Sequence, residues 1–176
     1  MTSRLLVDKI EGKTTANTVE MPSGSIVQAV QFHRPGKLGS VPDNLPGTSS
    51  ANVQLSSSSF VDVISKTITT KLANSQIYVT LSVVVYDGTT NVRAKTKVLR
   101  DSTQIDGDQY GAYAGQSTMA SYQVFILDTP NASAGTTLTY KLQAARASGS
   151  SSGLSIAYGD SSGGSSASLT LMEIAQ

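Results

Sequence analysis

Apolar and polar residues alternate over much of the chain. The clearest run is 76–86. Ile77, Val79, Leu81, Val83 and Val85 fall on one face at period two, and Gln76, Tyr78, Thr80, Ser82, Val84 and Tyr86 fall on the other. That pattern predicts a strand with one face in a core. Asp87-Gly88 follows it as a hairpin-turn signal. Residues 92–99 alternate too, with Arg93, Lys95 and Lys97 on one side. Residues 137–143 place Leu138, Tyr140 and Leu142 together. Tyr122-Gln123-Val124-Phe125-Ile126-Leu127 is apolar on both faces, as a central or interface strand would be. Further strands are read over 60–64, 67–72, 154–158 and 168–174. No stretch of 3.6-residue period competes with them. The resulting expectation is all-β: an antiparallel two-sheet sandwich of the jelly-roll kind over 60–176.

The first 59 residues read differently. Residues 1–33 hold two short apolar stretches, Leu5-Leu6-Val7-Asp8-Lys9-Ile10 and Ile26-Val27-Gln28-Ala29-Val30-Gln31-Phe32, with turn-forming residues between them. Short strand-like pieces bury little surface alone, so this segment is read as an extended β arm that needs a partner. Residues 34–59 carry Pro-Gly pairs at 35–36 and 46–47 and end in a Ser run at 56–59. They are read as a linker, with a surface loop as the alternative. On this division the head, 60–176, folds without the arm. Within the head, residues 107–118, with Tyr interleaved among Gly, and the Ser/Gly tracts at 148–153 and 160–166 read as long loops.

Composition narrows the chemistry. The chain has 176 residues, 39% hydrophobic and only 14% charged, with no cysteine, one histidine and a formal net charge of +1. Ser and Thr make up about a quarter of it. Without cysteine there is no disulfide framework, thiol nucleophile or Cys-held metal. A single histidine, His33, cannot build a His cage within one chain. The near-neutral charge gives no case for nucleic acid as a partner, and no apolar run approaches a membrane span, so no membrane insertion is expected. Asp8 and Lys9 interrupt the N-terminal apolar run, so no signal peptide is expected and assembly in a cytoplasm is.

Candidate sites are few. A Ser-His-Asp set would have to use His33, outside the sandwich, and no nucleophile-elbow motif is present. Asp101, Asp106 and Asp108 lie close in sequence and could form a calcium site or a glycosidase pair. The favoured reading is a turn whose Asp side chains bond local backbone. No Gly-rich phosphate loop occurs. Arg93, Lys95, Lys97 and Arg100 form a basic stripe, read as a solvated face whose charges discourage edge pairing. The expectation is therefore no catalytic residue, no metal and no cofactor. Tyr110 and Tyr113 are the one site-like signal. Exposed Tyr in a Gly/Ser loop suits adaptable recognition, sugar stacking included, and the alternative is packing onto this or a neighbouring subunit.

The order of features in 60–176 resembles the C-terminal sandwich of bacteriophage short fibres and virion-decoration proteins. The matching pieces are Thr67-Ile68-Thr69 followed by Gln76-Ile77-Tyr78-Val79, then Leu99-Arg100-Asp101-Ser102-Thr103-Gln104-Ile105. After these come Phe125-Ile126-Leu127-Asp128-Thr129-Pro130, Gly135–Gln143 and Ala167–Ile174. Leu5-Leu6-Val7-Asp8-Lys9-Ile10-Glu11 is also similar to the start of such fibres. The resemblance implies a non-enzymatic homotrimer on a virion surface, assembled in the host bacterial cytoplasm. Leu5, Leu6, Val7, Ile10, Ile26, Val27, Val30 and Phe32 would anchor it to other tail or capsid proteins. The head would face outward towards a host receptor or surface glycan. Trimer contacts would bury Tyr122, Val124, Phe125, Ile126 and Leu127, or the second face of 76–86. Capsid decoration is the alternative to a tail fibre, and a virion-borne polysaccharide-processing enzyme is a third reading.

Overall fold

A computed structural model describes residues 22–34, 53–87, 92–114, 118–147, 154–156 and 167–176. All regular structure among the described residues is strand. The elements are β1 (Ile26–Arg34), β2 (Val53–Gln54), β3 (Val61–Thr69), β4 (Gln76–Asp87), β5 (Val92–Arg100), β6 (Thr103–Ala114), β7 (Thr118–Asp128), β8 (Thr137–Arg146), β9 (Leu154–Ile156) and β10 (Ala167–Ile174).

Every pairing is antiparallel. One sheet runs β1-β10-β4-β7, with the short β9 and β2 continuing beside the last residues of β4. The other runs β3-β8-β5-β6. With β2 and β9 set aside, strand orders 1-10-4-7 and 3-8-5-6 are those of a jelly roll. The sandwich expected from the alternation is therefore the fold.

The period-two pattern explains the core. Ile77, Val79, Leu81, Val83 and Val85 of β4 are all buried, as are Leu169 and Leu171 of β10. They join one hydrophobic cluster with Ile64, Ile68, Val98, Leu138, Tyr140 and Leu142 from the other sheet. A strand burying one such row removes several aliphatic side chains from water, at about 1.5–3 kcal/mol each.

Three expectations need correction. The stretch 26–33, read as part of an arm outside the head, is edge strand β1. It pairs with β10 from Ile26↔Ile174 to Arg34↔Ala167, and Val30 and Phe32 pack against the core. The sheet already buries Leu169 and Leu171, and their row is extended by Val30 and Phe32 opposite them. The described end of the linker is also part of the sandwich. Val53 and Leu55 are buried, and β2 pairs with β9. Finally, 107–114 is not loop: β6 runs to Ala114, paired with β5 through several shifts of register, and β7 begins at Thr118. The anchoring residues Leu5, Leu6, Val7 and Ile10 lie outside the described residues.

The topology gives the sandwich two unlike ends. At the lower end the chain enters β1 through Gly24, whose positive φ of 84° suits a turn. Its N–H donates to Ala175 O at 2.8 Å. The turns 70–75, 101–102 and 129–136 are at this end and are tied together by backbone bonds. Gly135 N donates to Thr70 O at 2.8 Å, Asn74 N to Ala132 O at 2.8 Å and Asp101 N to Thr139 O at 2.7 Å. The upper end gathers Arg34, Asp87, Val92, Ala114, Thr118 and Arg146, where β1, β4, β6 and β8 finish and β5 and β7 begin.

Candidate functional site

Two polar clusters bridge the sheets. Arg100 Nη1 of β5 donates to Asp128 Oδ1 and Oδ2 of β7 at 2.8 and 2.7 Å. The Tyr140 hydroxyl of β8 donates to Asp128 Oδ2 at 2.6 Å. Burial holds the Tyr140 phenol far above its usual range, and the bond to Asp128 adds to the effect. Thr96 Oγ1 of β5 donates to Tyr122 Oη of β7 at 2.7 Å, and burial raises the Tyr122 phenol as well. Both phenols are therefore neutral near pH 7, and each keeps a hydrogen bond that offsets its burial. These groups fasten β7 to the opposite sheet. Arg100 thereby leaves the basic stripe in which the sequence placed it.

The buried Glu173 fastens the lower end. Its carboxylate accepts from Lys71 N and Leu72 N at 2.9 Å, from Ser75 Oγ at 2.7 Å and from Gln28 Nε2 at 2.6 Å. Burial alone would raise its pKa. The donors, Leu72 N foremost, outweigh burial and hold it below the usual carboxylate range.

The candidate carboxylates do not form one set among the described side chains. Asp101 sits in the β5–β6 turn at φ 52°, and its Oδ1 accepts from Thr139 N at 2.9 Å. Asp106 Oδ1 accepts from the N–H of Gly107 at 2.9 Å. The Asp108 side chain lies outside the description. Both described groups bond backbone, as the turn reading expects, although Asp106 does so from within β6. No group of three or more metal-binding side chains occurs among the described residues.

The predicted contact strand divides by face. Tyr122 and Val124 are buried in the sandwich, Ile126 packs partly against it, and Phe125 and Leu127 are 64% and 56% exposed. Of the interface candidates, only Phe125 and Leu127 thus present themselves outward. Met119 of the same strand is 59% exposed. The register sets Leu127 beside Tyr78, Phe125 beside Thr80 and Met119 beside Tyr86, and continues through Met172 of β10. Among the described residues this outward face of β1, β10, β4 and β7 carries no Lys, Arg, Asp or Glu.

Tyr110 and Tyr113 fall on β6, with Tyr113 opposite Arg93. They are strand residues near the upper end, and their side chains lie outside the description. Of the anchoring candidates on β1, Ile26 is 57% exposed, and Val27, Val30 and Phe32 are half-buried.

No family model matches the chain, and no curated protein matches it. Solved structures do. A structure of infectious bursal disease virus, Gx strain, is similar at a TM-score of 0.49 and 10% identity, over 96% of this chain and 36% of that one. The infectious bursal disease virus VP2 subviral particle gives 0.43 and 11% identity, over 96% and 38%. The C-terminal domain of EclA, described as a sugar-binding protein, gives 0.32 and 14% identity, over 85% and 86%. The chain spans little more than a third of the length of the first two chains.

Proposed function

We propose that this chain is a non-enzymatic virion-surface protein, a short phage fibre whose jelly-roll head is held from its lower end and presents its upper end to a host receptor or glycan. The observation that carries the reading is polarity. The chain enters β1 at the lower end, while the strand ends flanking 88–91, 115–117 and 157–166 gather at the upper end. Residues 1–21 thus lead into the head at one end, and its connections with Gly, Ser and Thr leave from the other. The resemblance of 60–176 to fibre and decoration proteins supports the same reading.

The assembly expected is a homotrimer meeting at the uncharged face around Phe125 and Leu127. Depletion of charge together with exposed Phe and Met and half-buried Tyr is the composition of an interface core. The other sheet faces outward with Arg93, Lys95, Lys97 and Lys141, so two copies brought together there would repel.

The test is immunogold labelling of the head on intact particles. Label at the tail supports the fibre, label over the capsid reassigns the protein to decoration, and unlabelled particles overturn the reading. Removal of residues 1–21 should abolish incorporation while leaving the Tm of the head unchanged.

A further inference from the structure

The basic stripe is not an edge device. β5 lies inside its sheet, paired with β8 on one side and β6 on the other, so its cations protect no free edge. Lys95 and Lys97 share the outward row of β5, with Lys97 beside Gln143 of β8. Their ammonium nitrogens converge on one aromatic ring. Lys97 Nζ stands 4.1 Å and Lys95 Nζ 4.8 Å from the centroid of Phe60. The chain before β3 brings that ring across, since Ser57 O accepts from Arg146 N at 2.9 Å.

No carboxylate among the described residues pairs with Lys95 or Lys97. On the β8 side of this face, Asp62 of β3 is already engaged. Its Oδ2 faces Lys141 Nζ at 3.3 Å and its Oδ1 accepts from Gln143 Nε2 at 2.6 Å. Two like charges are therefore gathered over one ring, half-exposed and without a counter-charge among the described side chains, flanked by Lys141 and Arg93. A ring satisfies an ammonium only in part, and like charges this close favour an anion between them. Gln143 adds an amide suited to hydroxyl groups.

We propose that this outward face of the second sheet, centred on Lys95, Lys97 and Phe60, binds an acidic polysaccharide through its carboxylate or phosphate groups. The inference stands apart from the virion reading and names a different surface from the upper end. A glycan fits better than nucleic acid. The cations lie on the face of a central strand and not on an element that could enter a groove, and the ring is already occupied by ammonium groups and not open to base stacking.

The experiment measures binding of the full chain to alginate as the carboxylate polymer, phosphomannan as the phosphate polymer, neutral dextran and a single-stranded DNA oligonucleotide. Binding to alginate, phosphomannan or both, without dextran, is expected, and which of the two binds identifies the anion. K95Q/K97Q should weaken it by about tenfold, K95R/K97R should retain it, and K71Q, which removes one charge elsewhere, should leave it unchanged. A Tm equal to wild type shows that the variants fold. Should K95Q/K97Q misfold, K97Q alone, set against K71Q at equal charge, decides. Absence of binding to both acidic polymers, equal binding to dextran, equal loss in K71Q, or tighter binding to DNA overturns the proposal.

Discussion

At the residue scale, Glu173 makes the sharpest claim. A buried carboxylate without a cation is expensive unless hydrogen bonds replace water, and here backbone and side-chain donors do so. E173Q keeps the shape but turns an accepting oxygen into a donor facing N–H groups. It should cost about 2–3 kcal/mol in urea unfolding at pH 7. The pH dependence has a definite sign. The folded pKa lies below the unfolded one, so the contribution is complete above the unfolded carboxylate value of about 4.3 and is lost as pH falls through the folded value. Wild type should therefore lose stability in that acid window more steeply than E173Q, and parallel curves would sink the assignment. Y140F removes the donor to Asp128 and should cost about 1–2 kcal/mol, read in the same titration. None of these partnerships was legible in the sequence. Glu173 reads there as one polar residue in the strand 168–174, and Asp128 as the residue that follows the apolar run 122–127. Their partners are up to 145 residues away and follow no local period.

At the element scale, alternation carried most of the fold. β4, β8 and β10 were legible because each buries one face, and a period of two leaves no other register for the apolar row. β7 was legible as apolar on both sides, and the structure divides it into a core row and an outward row. β1 was visible as a strand but not as part of the sandwich. Nothing local in 26–33 marks a partner at 167–174, and the Pro/Gly-rich 34–47 between it and the head reads as a boundary. Its true place changes what truncation should do. A fragment 22–176 should keep the Tm of the full chain. A fragment 35–176 loses β1, uncovers the β10 edge and removes Val30 and Phe32 from the core rim. It should unfold at lower temperature or become insoluble. F32A, in the intact chain, should cost about 2 kcal/mol by thermal unfolding, since the ring is only half-buried.

At the scale of the whole molecule, a nearly neutral chain conceals a separation of charge. The net charge of +1 gave no case for nucleic acid, yet it averages over two faces that differ in kind. One sheet faces outward without a charged residue among those described, and the other with Arg93, Lys95, Lys97 and Lys141 against Asp62. Composition could not show this, because a face is assembled from strands that are distant in sequence. On the proposed reading the separation assigns different work to the faces: self-contact would fall on the uncharged side and leave the cationic side open to solvent. F125S/L127S alters that contact without touching the core, since both side chains point away from it. By light scattering the wild type should have the mass of a trimer and F125S/L127S that of a monomer, with Tm at infinite dilution unchanged. A wild-type monomer at micromolar concentration would remove the trimer, and a trimer unaffected by F125S/L127S would move the interface to another face. K95Q/K97Q should leave the trimer intact in the same measurement, because its cations lie on the opposite sheet. Loss of both assembly and polysaccharide binding in either variant would mean that the two faces do not act separately.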